Sequence, residues 1–294
     1  MKISKCPICF GMSSVYLYSK DVNRKISSFK FEYRRCIECE TIFLSDVPDD
    51  LDRYYADDYY KIPSPEKLEK IVKNNPSKLK IILKYKKSGD LLEIGSAFGV
   101  FALQAKRAGF NVQSIEMNEK CCNFLKEVIG VEAIRSSDPS LALQSIRMND
   151  VVVAWHVIEH LHNPLEFIKS AALNLKKDGI LVLATPNPKS FQFRVMGKLW
   201  PHIDAPRHLT LLPKEAIEMV AEECELKCIG IEINDTEGLM WNAFGWQRFL
   251  MNYFSNKFLQ ILCFYLGYLL SLLMYPIERA NFAGSAYTII LRKI

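Results

Sequence analysis

No charge of one sign dominates this 294-residue chain. Its 38 lysines and arginines face 33 aspartates and glutamates, a net charge of +5, too small a surplus to mark a nucleic-acid surface. The opening residues MKISKCPICF carry no apolar run of the kind a secretory signal has. The nine cysteines are therefore expected to be reduced thiols in a cytoplasmic setting rather than disulfides. A mean hydropathy of +0.01 excludes a polytopic membrane protein while permitting one apolar segment. With 49% apolar and 24% charged residues the chain is too apolar to be disordered, and it is too varied to be a repeat or a coiled coil. Histidine is scarce: there are five, all between positions 156 and 208. The length suits one large domain, or a domain plus a small module.

What is present is segregated. Cys6, Cys9, Cys36 and Cys39 form two C-x-x-C knuckles, CPIC and CIEC. Each short turn aims two thiolates at one point, so the spacing predicts a tetrahedral, structural Zn²⁺ in a zinc-ribbon-like module over 1–60. Strand-like runs at 14–18 and 28–33 lie between the knuckles, and metal binding supplies folding energy that so small a core cannot. An aromatic and acidic stretch closes the module (Asp49–Tyr60). A lysine-rich helical connector, interrupted by Pro76, occupies 61–88, its lysines expected on a solvated face. From 89 to 294, short apolar runs alternate with amphipathic helices: strands at 91–94, 111–116, 132–134, 150–155 and 179–184, helices at 100–108, 119–129 and 165–175. That alternation predicts a doubly wound α/β sheet, with ligands at the carboxyl ends of its strands.

The first such loop is Glu93-Ile94-Gly95-Ser96-Ala97-Phe98-Gly99. Glycines at a strand-to-helix turn let backbone approach a ligand closely. The spacing is G-x-x-x-G, not the dinucleotide G-x-G-x-x-G. Glu93 would repel a pyrophosphate but attract the ammonium group of a methionine moiety. Glu116 ends the next strand, where an acid can accept hydrogen bonds from both ribose hydroxyls. Together these features point to S-adenosylmethionine.

Residues 90–186 resemble a class I S-adenosylmethionine-dependent methyltransferase. LLEIGSAFGVF is similar to the first motif of that family, SIEMN to its ribose-binding acid, VVVAWHVIEHLHNP to its fourth-strand signature and GILVLATPN to its fifth-strand segment. DAPRHLTLL resembles a loop common in small-molecule members, and the cysteine module with its tyrosine-rich sequel resembles sugar-modifying methyltransferases. The resemblance implies a seven-stranded methyltransferase sheet. By position it assigns Glu93, Gly95 and Gly99 to the methionine end, Glu116 to the ribose, and Ser137 or Asp138 to the vicinity of the adenine. Ser96, Ala97, Met117, Trp155 and His156 are carried over as further cofactor-binding positions; Ala97 replaces a glycine frequent in the family.

Methyl transfer to a hydroxyl needs alignment and a base. His208 and His160 are the candidates, for they lie in the loops at the ligand edge. The run His156–His160 also spells H-x-x-E-H, but it follows directly on a strand and so does not fit a helical zinc-peptidase site. Base methylation of RNA is disfavoured, since no [DN]-P-P-[YF] follows the fourth strand and no basic stripe with interleaved aromatics occurs. The expected activity is methyl transfer to a small molecule, with a hydroxyl of a sugar or lipid-linked glycan as the expected acceptor. A catalytically silent docking adaptor is the rival from another class. Before the last strand stands an apolar insertion, about 236–283. From Gly238 to Ile277 it carries only two charges, Arg248 and Lys257, and 258–277 has none. A single crossing is disfavoured, because the flanking strands share one sheet. Contact with a bilayer surface on the cytoplasmic side, with a second copy, or with the domain itself are the expected arrangements.

Overall fold

The computed structural model describes residues 4–55, 61–233, 236–280 and 282–294; the end of the aromatic stretch, 56–60, lies outside them. Near the N-terminus, β1 (Ser13–Ser19), β2 (Phe31–Cys36) and β3 (Ile42–Leu44) form an antiparallel meander. Phe10 (φ 58°) and Glu40 (φ 61°), each four residues beyond the first cysteine of its knuckle, are both left-handed. The two knuckles thus close with the same backbone turn. β2 starts at Phe31 rather than 28, because Phe29 N–H donates to Ser27 Oγ (3.0 Å) and bends the chain there.

Helix α1 (Pro65–Asn74) is capped by Ser64, whose hydroxyl accepts from Lys67 N–H, and α2 (Ser77–Tyr85) restarts after Pro76. The second sheet follows: β4 (Gly89–Ile94), α3 (Val100–Arg107), β5 (Phe110–Glu116), α4 (Glu119–Phe124), β6 (Glu132–Arg135), α5 (Pro139–Leu143), β7 (Asn149–Trp155), α6 (Pro164–Asn174) and β8 (Leu175–Pro186). A π-helical turn continues α4 through Ile129. After α7 (Phe191–Met196), the short β9 (Thr210–Leu211) and α8 (Lys214–Glu223), the sheet is completed by β10 (Leu226–Ile233) and β11 (Ala286–Lys293). Strand order is β10-β11-β8-β7-β4-β5-β6, with β11 antiparallel to both neighbours and β8, β7, β4, β5 and β6 parallel to one another.

Because side chains alternate along a strand, the central strands face two layers. Leu92, Ile94, Val152, Ala154, Leu181 and Leu183 pack with residues of α6 and α8, whereas Leu91, Val151, Val153 and Val182 pack with residues of α1 to α3. A third cluster joins the N-terminal sheet to α7 and the segments after it. It includes Tyr33 and Leu44 of the meander, Trp200 and Ile203 of the loop after α7, Leu211 and Trp246. β9 pairs antiparallel with β3 (Ile42 with Leu211, Phe43 with Thr210), so the N-terminal sheet takes its fourth strand from residues 210–211.

Between β10 and β11 the chain forms a helical hairpin, α9 (Thr236–Met251) and α10 (Lys257–Arg279). Cys263, Gly267 and Ser271 are buried along one stripe of α10. A Cβ on Gly267 would lie 2.5 Å from the Gln247 Cα of α9. The small-residue stripe therefore serves contact within the chain rather than contact with a partner.

Candidate active site

β4, β5 and β7 run parallel, so their carboxyl ends meet at one edge. Glu93, next to last in β4, points to the α3 side, where an apolar residue would be expected. It is 3% exposed, and its Oε2 has no hydrogen-bond partner among the described residues. Burial pushes its carboxyl up from the ordinary 4.5 to about 7, against the opposing pull of the Lys78 cation. The loop after β4 needs its two flanking glycines. Gly95 (φ +70°) and Gly99 (φ +77°) are left-handed, and a Cβ would meet Val157 Cγ2 at 2.6 Å and Leu125 Cδ2 at 2.7 Å respectively.

Ala97 is left-handed as well (φ 48°). Its N–H donates to Glu116 Oε2 (2.8 Å), while Asn118 N–H donates to Oε1 (2.8 Å). Each carboxylate oxygen keeps a second lone pair for a ribose hydroxyl. What position 97 contributes is a backbone N–H that pins Glu116, and alanine supplies it as well as glycine would. Ser96 Oγ lies 2.7 Å from Ser114 Oγ and ties the loop to β5. Met117 and Ser137 are exposed at the rim. Asp138 is exposed too, but its Oδ1 accepts from Ser140 N–H (2.9 Å) and Leu141 N–H (3.2 Å), capping α5. Trp155 closes the other side, edge-on to Phe101 (centroids 5.4 Å apart), with Lys78 Nζ 5.3 Å from its ring centroid. Lys78 of α2 thus leaves the solvated face expected of the connector lysines and enters the site.

Beyond β7 the histidines converge. His156 (φ 56°) turns back after the strand, its N–H donating to Ala184 O (2.9 Å) and its ring lying 4.6 Å from that of Trp241 in α9. A 3₁₀ turn, Ile158–His160, then carries Glu159 and His160 inward, so the H-x-x-E-H residues do not share a helix. His160 and His208 pack edge to face, with centroids 4.6 Å apart. His160 Nδ1 lies 2.9 Å from Arg207 O, and His208 Nδ1 lies 2.9 Å from His202 O. A carbonyl only accepts, so Nδ1 carries a proton in both rings, and His208 Nε2 lies 3.9 Å from Asp204 Oδ2. His202 is buried, with Nε2 donating to Trp241 O (3.0 Å). Burial, followed by the charge of His208, holds His160 down at about 4. His160 is therefore neutral near pH 7, as a base must be.

Glu159 is fully buried. Burial alone would raise its carboxyl, but His156, whose Nδ1 lies 3.4 Å from Oε1, and the neighbouring His208 outweigh it and hold it at about 2. Its Oε2 accepts from Thr185 Oγ1 (3.1 Å). Ligand atoms of Glu159, His160 and His208 all lie within 4.8 Å of one another, a set whose chemistry could also hold a divalent ion. Tyr55 brings the N-terminal module to this cluster, its hydroxyl 3.2 Å from His160 Nδ1. Arg207 bridges the same segments through Tyr54 O (3.1 Å) and a two-point pair with Asp204.

The four knuckle cysteines also come together. Their sulfurs lie within 4.8 Å of one another, with Cys6–Cys39 at 3.5 Å, Cys9–Cys36 at 3.4 Å and Cys9–Cys39 at 3.4 Å. Tetrahedral zinc with bonds of about 2.3 Å sets sulfurs about 3.8 Å apart, so this group could hold Zn²⁺.

The model of the family described as "Methyltransferase domain" matches residues 66–230, more than half of the chain. The chain belongs to that family. With the seven-stranded sheet, this makes it a class I S-adenosylmethionine-dependent methyltransferase. Among curated proteins it is similar to "Ubiquinone biosynthesis O-methyltransferase" of Rickettsia canadensis, 26% identical over 190 residues that cover 61% of this chain and 76% of that protein. The protein of the same name from Rickettsia felis is 27% identical over 191 residues, covering 61% and 73%. Among solved structures, a SAM dependent methyltransferase from Archaeoglobus fulgidus superposes with a TM-score of 0.52 at 19% identity, covering 77% of this chain and 94% of that one, a likeness of fold.

The residues of this methyltransferase fit its donor. The unpartnered Glu93 oxygen is a buried anion suited to an ammonium group, Gly95 and Gly99 leave room for close approach, and Glu116 is held ready for a diol. Sequence reasoning missed Lys78, Tyr55, Arg207, Thr185 and Trp241, all of which come from segments remote in sequence from the loops they meet. A separate groove of about 510 Å³ lies between the N-terminal sheet and α7. Its Arg35 and Lys189 are both paired with Glu40, so its charge is largely compensated.

Proposed function

We propose that this methyltransferase methylates a hydroxyl of a small molecule, the acceptor being a sugar or a lipid-linked glycan intermediate, on the cytoplasmic side of the membrane. The observation that carries the hydroxyl reading is the His160–His208 pair: two imidazoles packed edge to face, each held through Nδ1–H to a main-chain carbonyl, with His160 held neutral so that its Nε2 keeps a lone pair. A hydroxyl acceptor must lose a proton as the new bond forms, and a neutral imidazole at the cleft edge takes it. S-adenosylmethionine, when bound, supplies a methyl group on a cationic sulfur. Glu93, Gly95, Ser96, Ala97 and Gly99 would hold its methionine end and Glu116 its ribose, with Met117, Ser137 and Asp138 at the adenine rim.

Glu159 supports the base. Its buried negative charge faces the imidazoles and stabilises whichever one is protonated after transfer. Tyr55, beside His160, and Trp241, beside His156, bring aromatic rings to the histidine cluster, on which a sugar ring or a phenol could lie. The O-methyltransferase relatives favour a second reading, a phenolic hydroxyl, with the same base and the same donor site. We assign the four-cysteine group a structural Zn²⁺.

The test is methyl transfer from radiolabelled S-adenosylmethionine to panels of glycan-lipid and phenolic acceptors. His208→Ala and His160→Ala are expected to lower kcat by about 10² to 10⁴ while leaving donor affinity intact. Failure of the pure protein to bind the donor would remove the whole reading; unchanged kcat in both variants would remove the base.

A further inference from the structure

The outer surface of α10 has no role in the methyltransfer site and no covering among the described residues. Phe258 (74% exposed), Ile261, Tyr265, Leu269 and Leu273 (70% exposed) are among a dozen large apolar residues of this helix that face solvent. At 3.6 residues per turn they cover roughly 200° of its circumference. Only the stripe from Cys263 to Glu278 is turned inward.

We propose that α10 docks on an anionic lipid bilayer, lying flat with its outer arc sunk into the headgroup–acyl boundary. The width of the apolar arc decides between occupants. A second copy of the chain packed helix to helix would cover a stripe about 100° wide and leave the rest in water, whereas a bilayer covers the whole arc. Patches of this size on soluble monomers mark interaction sites. Charge agrees. Between Gly238 and Ala280 Glu278 is the sole acid, and it is fully buried, hydrogen-bonded to Gln192 Nε2 (2.8 Å) and Trp246 Nε1 (2.8 Å). The helix ends carry Lys257 and Arg279, placed to meet lipid phosphates while their stems stay in the apolar layer. The exposed Tyr253 and Phe254 precede Lys257 at the hairpin tip. The position is flat rather than spanning, because α9 is fixed to the body along its length. Asn242 Oδ1 accepts from Ser285 N–H (2.8 Å) at its middle, and Arg248 donates to Asn23 O toward its end.

The hairpin also touches the site, through the Trp241 ring on His156 and the Trp241 carbonyl on His202. Docking would therefore hold the histidine cluster at a fixed orientation to the bilayer.

Flotation of the full chain with phosphatidylcholine vesicles, with and without phosphatidylglycerol, tests this. Binding is expected to the mixed vesicles, to weaken in high salt, and to fall about a hundredfold in the double variant Leu269→Glu/Leu273→Glu. Unchanged S-adenosylmethionine affinity of that variant shows that it is folded. Absence of vesicle binding by the unaltered chain overturns the proposal. So does a concentration-dependent dimer that the same substitutions abolish while vesicle binding is absent, for then the occupant is a second copy.

Discussion

Replacing Glu93 with glutamine should stabilise this methyltransferase and disable it. Glu93 is buried at the end of a central strand, and its carboxyl is raised from 4.5 to about 7 by that burial. Above pH 7 the folded chain must keep a desolvated negative charge that the unfolded chain carries in water at no cost. The folded state binds the proton more tightly, so Glu93 makes stability fall as pH rises from about 4.5 to 7. A tenfold difference in proton affinity between the two states is worth about 1.4 kcal/mol, so the full penalty is about 3 kcal/mol, and about 2 kcal/mol of it develops between pH 5.5 and 8. Glutamine keeps the shape and removes the charge. Urea denaturation at pH 5.5 and 8 should show the advantage of Glu93→Gln over the unaltered chain growing by about 2 kcal/mol at the higher pH. Calorimetry should show the opposite for the donor: affinity for S-adenosylmethionine lost in the variant, and in the unaltered chain about tenfold weaker at pH 6 than at pH 8, as the carboxylate that meets the ammonium is protonated. An advantage that does not change with pH would refute the burial argument, and undiminished donor affinity would refute the role.

The pH dependence of turnover should separate two groups: the acid limb of kcat/KM, which reports the free enzyme, is expected near 7 from Glu93, and that of kcat well below 6, because His160 is held at about 4. Gly99→Ala should destabilise by about 1 to 3 kcal/mol, measured by denaturant titration, since its φ of +77° and the Leu125 contact both oppose a Cβ. Metal analysis of the purified chain should find one zinc, with chelation or Cys36→Ser lowering Tm; a thermal midpoint that ignores chelator would deny the cluster a structural ion.

The alternation of strands and helices is legible because fully buried parallel strands such as Val151–Ala154 leave a dense apolar run bounded by polar turns. The donor loop is legible for a related reason. Its demands, small residues at left-handed turns and acids at strand ends, are local and leave their mark within a few residues. The histidine cluster is only half visible. Scarcity draws attention to 156–208, but the partners that fix the tautomers are a carbonyl at 207 and another at 202, and carbonyls leave no trace in side-chain identity. Helix α5 passes unnoticed because five residues carry too little periodicity, although Asp138 followed by Pro139 announces its start. The stripe at Cys263, Gly267 and Ser271 shows a close helix contact without showing with what. Only the placement of Gln247 beside Gly267 turns it inward, and so frees the opposite arc of α10 for another purpose.

The pairing of β3 with β9 has a bearing on how the chain folds during synthesis. Residues 6–44, with all four knuckle cysteines, are made well before the methyltransferase sheet and could hold a metal early, yet the strand that covers their open edge is made some 170 residues later. Until then β3 has an unsatisfied edge. When residues 210–211 arrive they bring His208 with them, two positions upstream. Closure of the N-terminal sheet and arrival of the proposed base are thus one event, and a nascent chain stopped before 208 would lack both.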